Sequence, residues 1–150
     1  MAGELRAQIT EAMKNYLRQH EAVALSAVRM LLAAIKQQEI DQQISLSDVQ
    51  ILGVIDKLIR ERRDSIAEYR KGNRTDLIER EEAEIKVLQQ FLPEPLNDAE
   101  LIAIIRDAME ETHARSLRDM SKVIGIVRPK VLGRADMTEV SAKIKSLLSV

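Results

Sequence analysis

The 150-residue sequence has no cysteine and no tryptophan, and its only aromatic residues are Tyr16, Tyr69 and Phe91. Without cysteine there is no disulfide, no thiolate nucleophile and no thiolate zinc site, a pattern that suits a reducing compartment. So few aromatic rings argue against a nucleic-acid binder that stacks a series of bases. No stretch approaches the roughly 18 consecutive apolar residues of a membrane span. The first residues, Met1 to Arg6, include an acid and lack the apolar core of a secretory signal. Neither sign of charge dominates: 23 Lys and Arg stand against 24 Asp and Glu, a net charge of −1. A uniformly basic, histone-like binder is therefore excluded, and any polyanion site must come from local segregation of charge.

The usual catalytic constellations are missing too. His20 and His113 are the only histidines, and both fall in polar segments at predicted helix boundaries, which suits exposed terminal residues better than a catalytic base. There is no GxGxxG and no glycine-rich phosphate loop. Glu79, Glu81, Glu82 and Glu84 share helix faces, but with no histidine or glycine-bearing Asp loop beside them they read as a solvated face. The sequence therefore points to no catalytic residue, no metal and no cofactor.

What is present is helix-forming material. Apolar residues make up 45% and charged residues 31% of the chain, with five glycines and three prolines to break it. Leu5, Ile9, Met13, Tyr16 and Leu17 mark a first helix. A second is predicted over about 22–40, with Leu25, Val28, Leu32 and Ile35 as its stripe. Ser47 and Gln50 form a capping-box pattern, stapled by Leu46 and Ile51, ahead of a helix carrying Ile51, Leu52, Ile55, Leu58, Ile59 and Ile66. That helix is predicted to stop at Gly72 in the left-handed conformation. Thr75 is placed to cap a fourth, bearing Leu77, Ile85, Leu88 and Leu92.

Pro93-Glu94-Pro95 cannot continue a helix and marks a linker. Beyond it, Asn97 and Glu100 repeat the capping pattern for a helix with Leu101, Ile104, Ile105, Ala108 and Met109. A sixth helix is predicted from about Ser116, with Leu117, Met120, Ile124 and Val127, to be kinked or ended by Pro129. Gly133 marks a turn, and Asp136 opens a last helix with Val140, Ile144, Leu147 and Leu148. The expected fold is all-α, a four-helix N-terminal domain over 1–92 followed by a small three-helix domain over 96–150.

The balanced total hides segregated charge. Lys57 to Arg74 holds seven bases (Lys57, Arg60, Arg62, Arg63, Arg70, Lys71 and Arg74) against Glu61, Asp64 and Glu68, a surplus of four. Arg115 to Lys145 holds eight (Arg115, Arg118, Lys122, Arg128, Lys130, Arg134, Lys143 and Lys145) against Asp119, Asp136 and Glu139, a surplus of five. Between them, the segments 76–84 and 93–111 are acidic. Two readings stay open on charge alone. Either these stretches pair as ordinary helix surfaces, each exposed pair contributing about 0–1 kcal/mol, or the last two helices and the Arg128–Arg134 turn present a phosphate-binding surface. In the same way, the C-terminal amphipathic helices suit a closed core better than a membrane surface, because they lack aromatic anchors.

Several local patterns resemble the YqeY-like family. They are Arg29-Met30-Leu31-Leu32-Ala33-Ala34-Ile35-Lys36 with Glu39-Ile40, Arg62-Arg63-Asp64-Ser65-Ile66, Gly72 to Leu77, Glu81 to Ile85 and Leu88 to Pro93. The C-terminal Lys122-Val123-Ile124-Gly125, Pro129-Lys130 and Gly133-Arg134-Ala135-Asp136 resemble the unit that this family shares with the tail of GatB, the tRNA-binding subunit of the glutaminyl/asparaginyl-tRNA amidotransferase. The resemblance implies a cytoplasmic, all-helical protein whose tail module contacts tRNA, with carbon–nitrogen ligase activity only by association and no catalytic residue in this chain. By position it implies a basic motif at Lys122, Lys130 and Arg134, with Gly133 permitting close backbone approach. One departure is Ser121, where the family often has glycine before the lysine. Joined to the charge pattern, the nucleic-acid-binding set becomes Lys122, Arg128, Lys130, Gly133, Arg134, Lys143 and Lys145, with structured RNA such as tRNA as the expected partner. The competing expectation is a protein-docking module for an amidotransferase or another enzyme, without RNA contact.

Overall fold

The structure is a computed structural model that describes residues 3–149. Among these, seven α-helices and one 3₁₀ turn account for the regular structure, with no strand. They are α1 (Glu4–Arg18), α2 (Ala22–Gln42), α3 (Asp48–Lys71), α4 (Thr75–Gln89), α5 (Asp98–Thr112), the 3₁₀ turn (Leu117–Asp119), α6 (Met120–Val131) and α7 (Met137–Leu148). The chain divides into two compact units, one running to Leu92 and the other beginning at Pro93.

In the first unit, Leu5 and Ile9 of α1, Val28, Leu31 and Ile35 of α2, Ile51, Ile55, Ile59 and Ile66 of α3, and Ile85 and Leu88 of α4 form one core. The entry into α3 follows its sequence signature: Ser47 Oγ accepts the Gln50 N–H, Gln50 Oε1 accepts the Ser47 N–H at 2.8 Å, and Leu46 and Ile51 are both buried. Glu39 closes the preceding loop by accepting the Leu46 N–H at 2.8 Å and pairing with Arg6. The hydrogen bond from Leu46, with Arg6 beside it, holds the Glu39 carboxyl below the usual carboxylate range against the opposing effect of desolvation.

The structure corrects several details. Leu17 is 51% exposed rather than part of the α1 stripe, and in α2 Leu31 is buried where Leu32 is half-buried. Asn73, not Gly72, takes the left-handed conformation after α3, at φ 55 against −98 for Gly72. Asparagine tolerates that region because its short polar side chain solvates the backbone locally. Thr75 is the first residue of α4 rather than its cap, and Arg74 bonds Asp76 there instead. Glu84 does not belong to a solvated face. It is buried and accepts from Arg62 Nε at 2.9 Å, while the same guanidinium donates to the Leu58 carbonyl at 3.1 Å. Burial, reinforced by the charge of Glu84, raises the neighbouring Glu81 carboxyl.

The second unit has its own core: Leu101, Ile105 and Ala108 of α5, Val123, Val127 and Val131 of α6, and Val140, Ile144 and Leu148 of α7. Asn97 and Glu100 form a complete capping box on α5, with both reciprocal hydrogen bonds present. The α6 stripe is shifted from the expected one. Val123, Val127 and Val131 point inward, Met120 and Ile124 lie at the edge, and Leu117 is 47% exposed. Nor does Pro129 end this helix, which continues to Val131. Proline forfeits the hydrogen bond to the carbonyl four residues back, here that of Gly125, and both residues are exposed where water can solvate that carbonyl.

Candidate nucleic-acid interface

The expected cations lie on α6, on α7 and in the turn between them. The N-terminus of α6 is fixed by Asp119, which accepts the N–H groups of Arg115 at 2.9 Å and Ser116 at 3.3 Å. Those two bonds keep its carboxyl ionised below the ordinary range, and Lys122 adds to the effect. Lys122, Arg128 and Lys130 are all exposed and form no ion pair among the described residues. At about 100° per residue, Lys122, Ile126 and Lys130 fall along one flank of α6, and Arg128 falls on the opposite flank. Ser121 is exposed, so its side chain meets no packing constraint.

The turn that follows explains Gly133. It sits at φ 75, a conformation that disfavours any side chain, and it lets Arg134 and Ala135 direct their N–H groups to the Val131 carbonyl at 2.8 and 3.1 Å. Arg134 is half-buried and ties down the start of its own unit. Its Nε donates to the Glu94 carbonyl at 2.9 Å, and its carbonyl accepts the Leu96 N–H at 3.0 Å. Lys143 is engaged in a similar way, with Nζ 2.9 Å from Asp98 Oδ1. Lys145 is exposed on the other flank of α7. The sequence-predicted set thus falls into two groups. Lys122, Arg128, Lys130 and Lys145 face solvent, while Arg134 and Lys143 hold the segment 94–98 against the helices.

His20 and His113 are exposed residues just beyond helix ends, with φ of 58 and 56. No group of three or more Asp, Glu or His side chains is arranged to hold a metal ion among the described residues, and no helix there is long and apolar enough to cross a membrane.

Fold and site together define a class: an all-helical protein whose C-terminal three-helix unit carries exposed cations. The chain belongs to the Yqey-like protein family, whose sequence pattern matches residues 6–148. It is also similar to proteins named "Altered inheritance of mitochondria protein 41, mitochondrial". That of Lachancea thermotolerans is 30% identical over 79% of this chain and 67% of its own length. That of Pyrenophora tritici-repentis is 30% identical over 91% and 76%. That of Vanderwaltozyma polyspora is 40% identical over 45% and 37%.

These relatives overturn the cytoplasmic assignment, since they carry mitochondrial names. The physical reason lies in what the sequence signals could distinguish. The absence of cysteine does not separate cytosol from mitochondrion, and mitochondrial targeting segments are amphipathic rather than apolar, so an apolar-run test does not see them.

Proposed function

We propose that this protein is a non-catalytic accessory that binds structured RNA of the tRNA type through its C-terminal unit, in connection with tRNA-dependent amidation. The observation that carries the reading is that Lys122 and Lys130 share one exposed flank of α6 with no ion pair among the described residues, while Arg128 and Lys145 are exposed on other flanks. Arg134 and Lys143, through the Glu94 carbonyl and Asp98, order the scaffold beneath them. The resemblance of this unit to the GatB tail supplies the RNA class. Binding would be electrostatic and shape-based, with phosphates contacted rather than bases read.

A filter-binding titration of bulk tRNA tests it. Two phosphate contacts, from the co-facing Lys122 and Lys130, give a slope of log affinity against log salt of about −2, or roughly a tenfold to twentyfold loss between about 50 and 200 mM. A flat dependence, or no binding at low salt, rejects the reading. Capture of an amidotransferase that survives nuclease, together with such a flat result, puts the protein-docking alternative in its place.

A further inference from the structure

The first unit has a charged surface that the proposed function does not use. On α3, Arg60, Arg63, Ala67 and Arg70 recur at intervals of three and four residues, which places them on one stripe of the helix. All four are exposed, and they lie away from the core positions Ile55, Ile59, Arg62 and Ile66. Of the acids of the same helix, Asp56 lies at the N-terminal end of this stripe and Asp64 one turn beyond Arg60, while Glu61 and Glu68 fall on another face, Glu61 lining the groove between α2 and α3 with Lys57, Gln50 and Gln38. Arg60 is paired with half-buried Asp56 at 2.8 Å, so the unneutralised cations of the stripe are Arg63 and Arg70, which form no ion pair among the described residues.

We infer that this arginine stripe is a second phosphate-contacting surface, one that grips the backbone of a duplex region in a structured RNA. The inference deepens the RNA-binding reading and rests on it. Three features favour a nucleic-acid backbone. The cations are all arginine, whose planar fork matches phosphate oxygens in pairs. From Arg60 to Arg70 the stripe is about 15 Å long, the axial rise of roughly four phosphates along one strand of a duplex. Its only uncharged member is Ala67, so it offers none of the large buried anchors on which a protein interface depends, whereas phosphate binding needs none. An acidic protein surface is the competing occupant.

The test uses the full-length chain with Arg63→Glu/Arg70→Glu, and Arg63→Gln/Arg70→Gln as a milder pair. Both sites are exposed, and circular dichroism verifies that each variant is folded. The probe is a labelled RNA hairpin with a stem of about 16 base pairs, titrated across salt. The charge-reversed pair is expected to bind at least about tenfold more weakly at low salt, the neutral pair to fall between, and the salt slope to shrink by one to two units. Wild-type affinity retained by both pairs overturns the stripe and leaves the C-terminal reading standing. No binding by the wild-type chain overturns both. A charge-reversed chain that binds the hairpin as wild type does but no longer retains poly-glutamate overturns the assignment to RNA in favour of an acidic partner.

Discussion

Arg62→Ala is expected to cost the first unit about 3–5 kcal/mol, the penalty of stranding a buried carboxylate. Arg62 and Glu84 are 5% and 6% exposed, and their 2.9 Å contact links α3 to α4 with little water to screen it. Removing the guanidinium also frees the Leu58 carbonyl and the contact to Met30 of α2. Arg80, at 3.6 Å and itself largely exposed, is too distant and too well solvated to replace it. Converting both partners to methionine should recover most of the loss, since apolar side chains of similar volume avoid the desolvation of two charges. Urea unfolding followed by circular dichroism measures both variants. A loss below about 1 kcal/mol for the single change would mean that the pair is only a surface salt bridge.

The second large effect is expected in the C-terminal unit. Ile144 is fully buried between α5 and α6, and Ile144→Ala removes its outer methyl and methylene groups from a core of nine buried residues. The expected loss is about 2–5 kcal/mol, comparable with the whole stability of so small a unit at roughly 0.05–0.15 kcal/mol per residue. Amide exchange should report it directly, with protection lost at Val127 and Leu148. Half-buried Leu147→Ala, on the same helix, should cost clearly less. Equal effects at the two positions would contradict the assigned stripe.

Local chemistry made much of this architecture readable. Ser47 with Gln50 and Asn97 with Glu100 announce helix starts because at that spacing each side-chain oxygen reaches the other residue's backbone N–H, meeting two of the first turn's free donors. Where several apolar residues are adjacent, the sequence loses resolution. Val123, Ile124, Ile126 and Val127 are all apolar, so choosing the inward face needs the neighbouring helices. The pairing of Arg62 with one of the acids Glu81, Glu82 or Glu84 across the α3–α4 hairpin is legible in the sequence, and Glu84 is the partner. Arg62 falls on the same i, i+3, i+7 face as Ile55, Ile59 and Ile66, a core position that only a partnered charge can occupy. In the candidate site, the residue types were legible but their partners were not. Arg134 meets the Glu94 carbonyl forty residues back along the chain, and Lys143 meets Asp98, contacts that periodicity does not encode.

The cations left free by those contacts carry the account, and Lys122→Glu/Lys130→Glu tests them most directly. The two side chains share one flank of α6, neither is buried, and reversing them leaves the valine core untouched. Binding of tRNA to the folded variant should weaken by about one to two orders of magnitude at low salt, with a salt slope shallower by about two. An unchanged affinity and an unchanged slope would show that these lysines do not touch RNA.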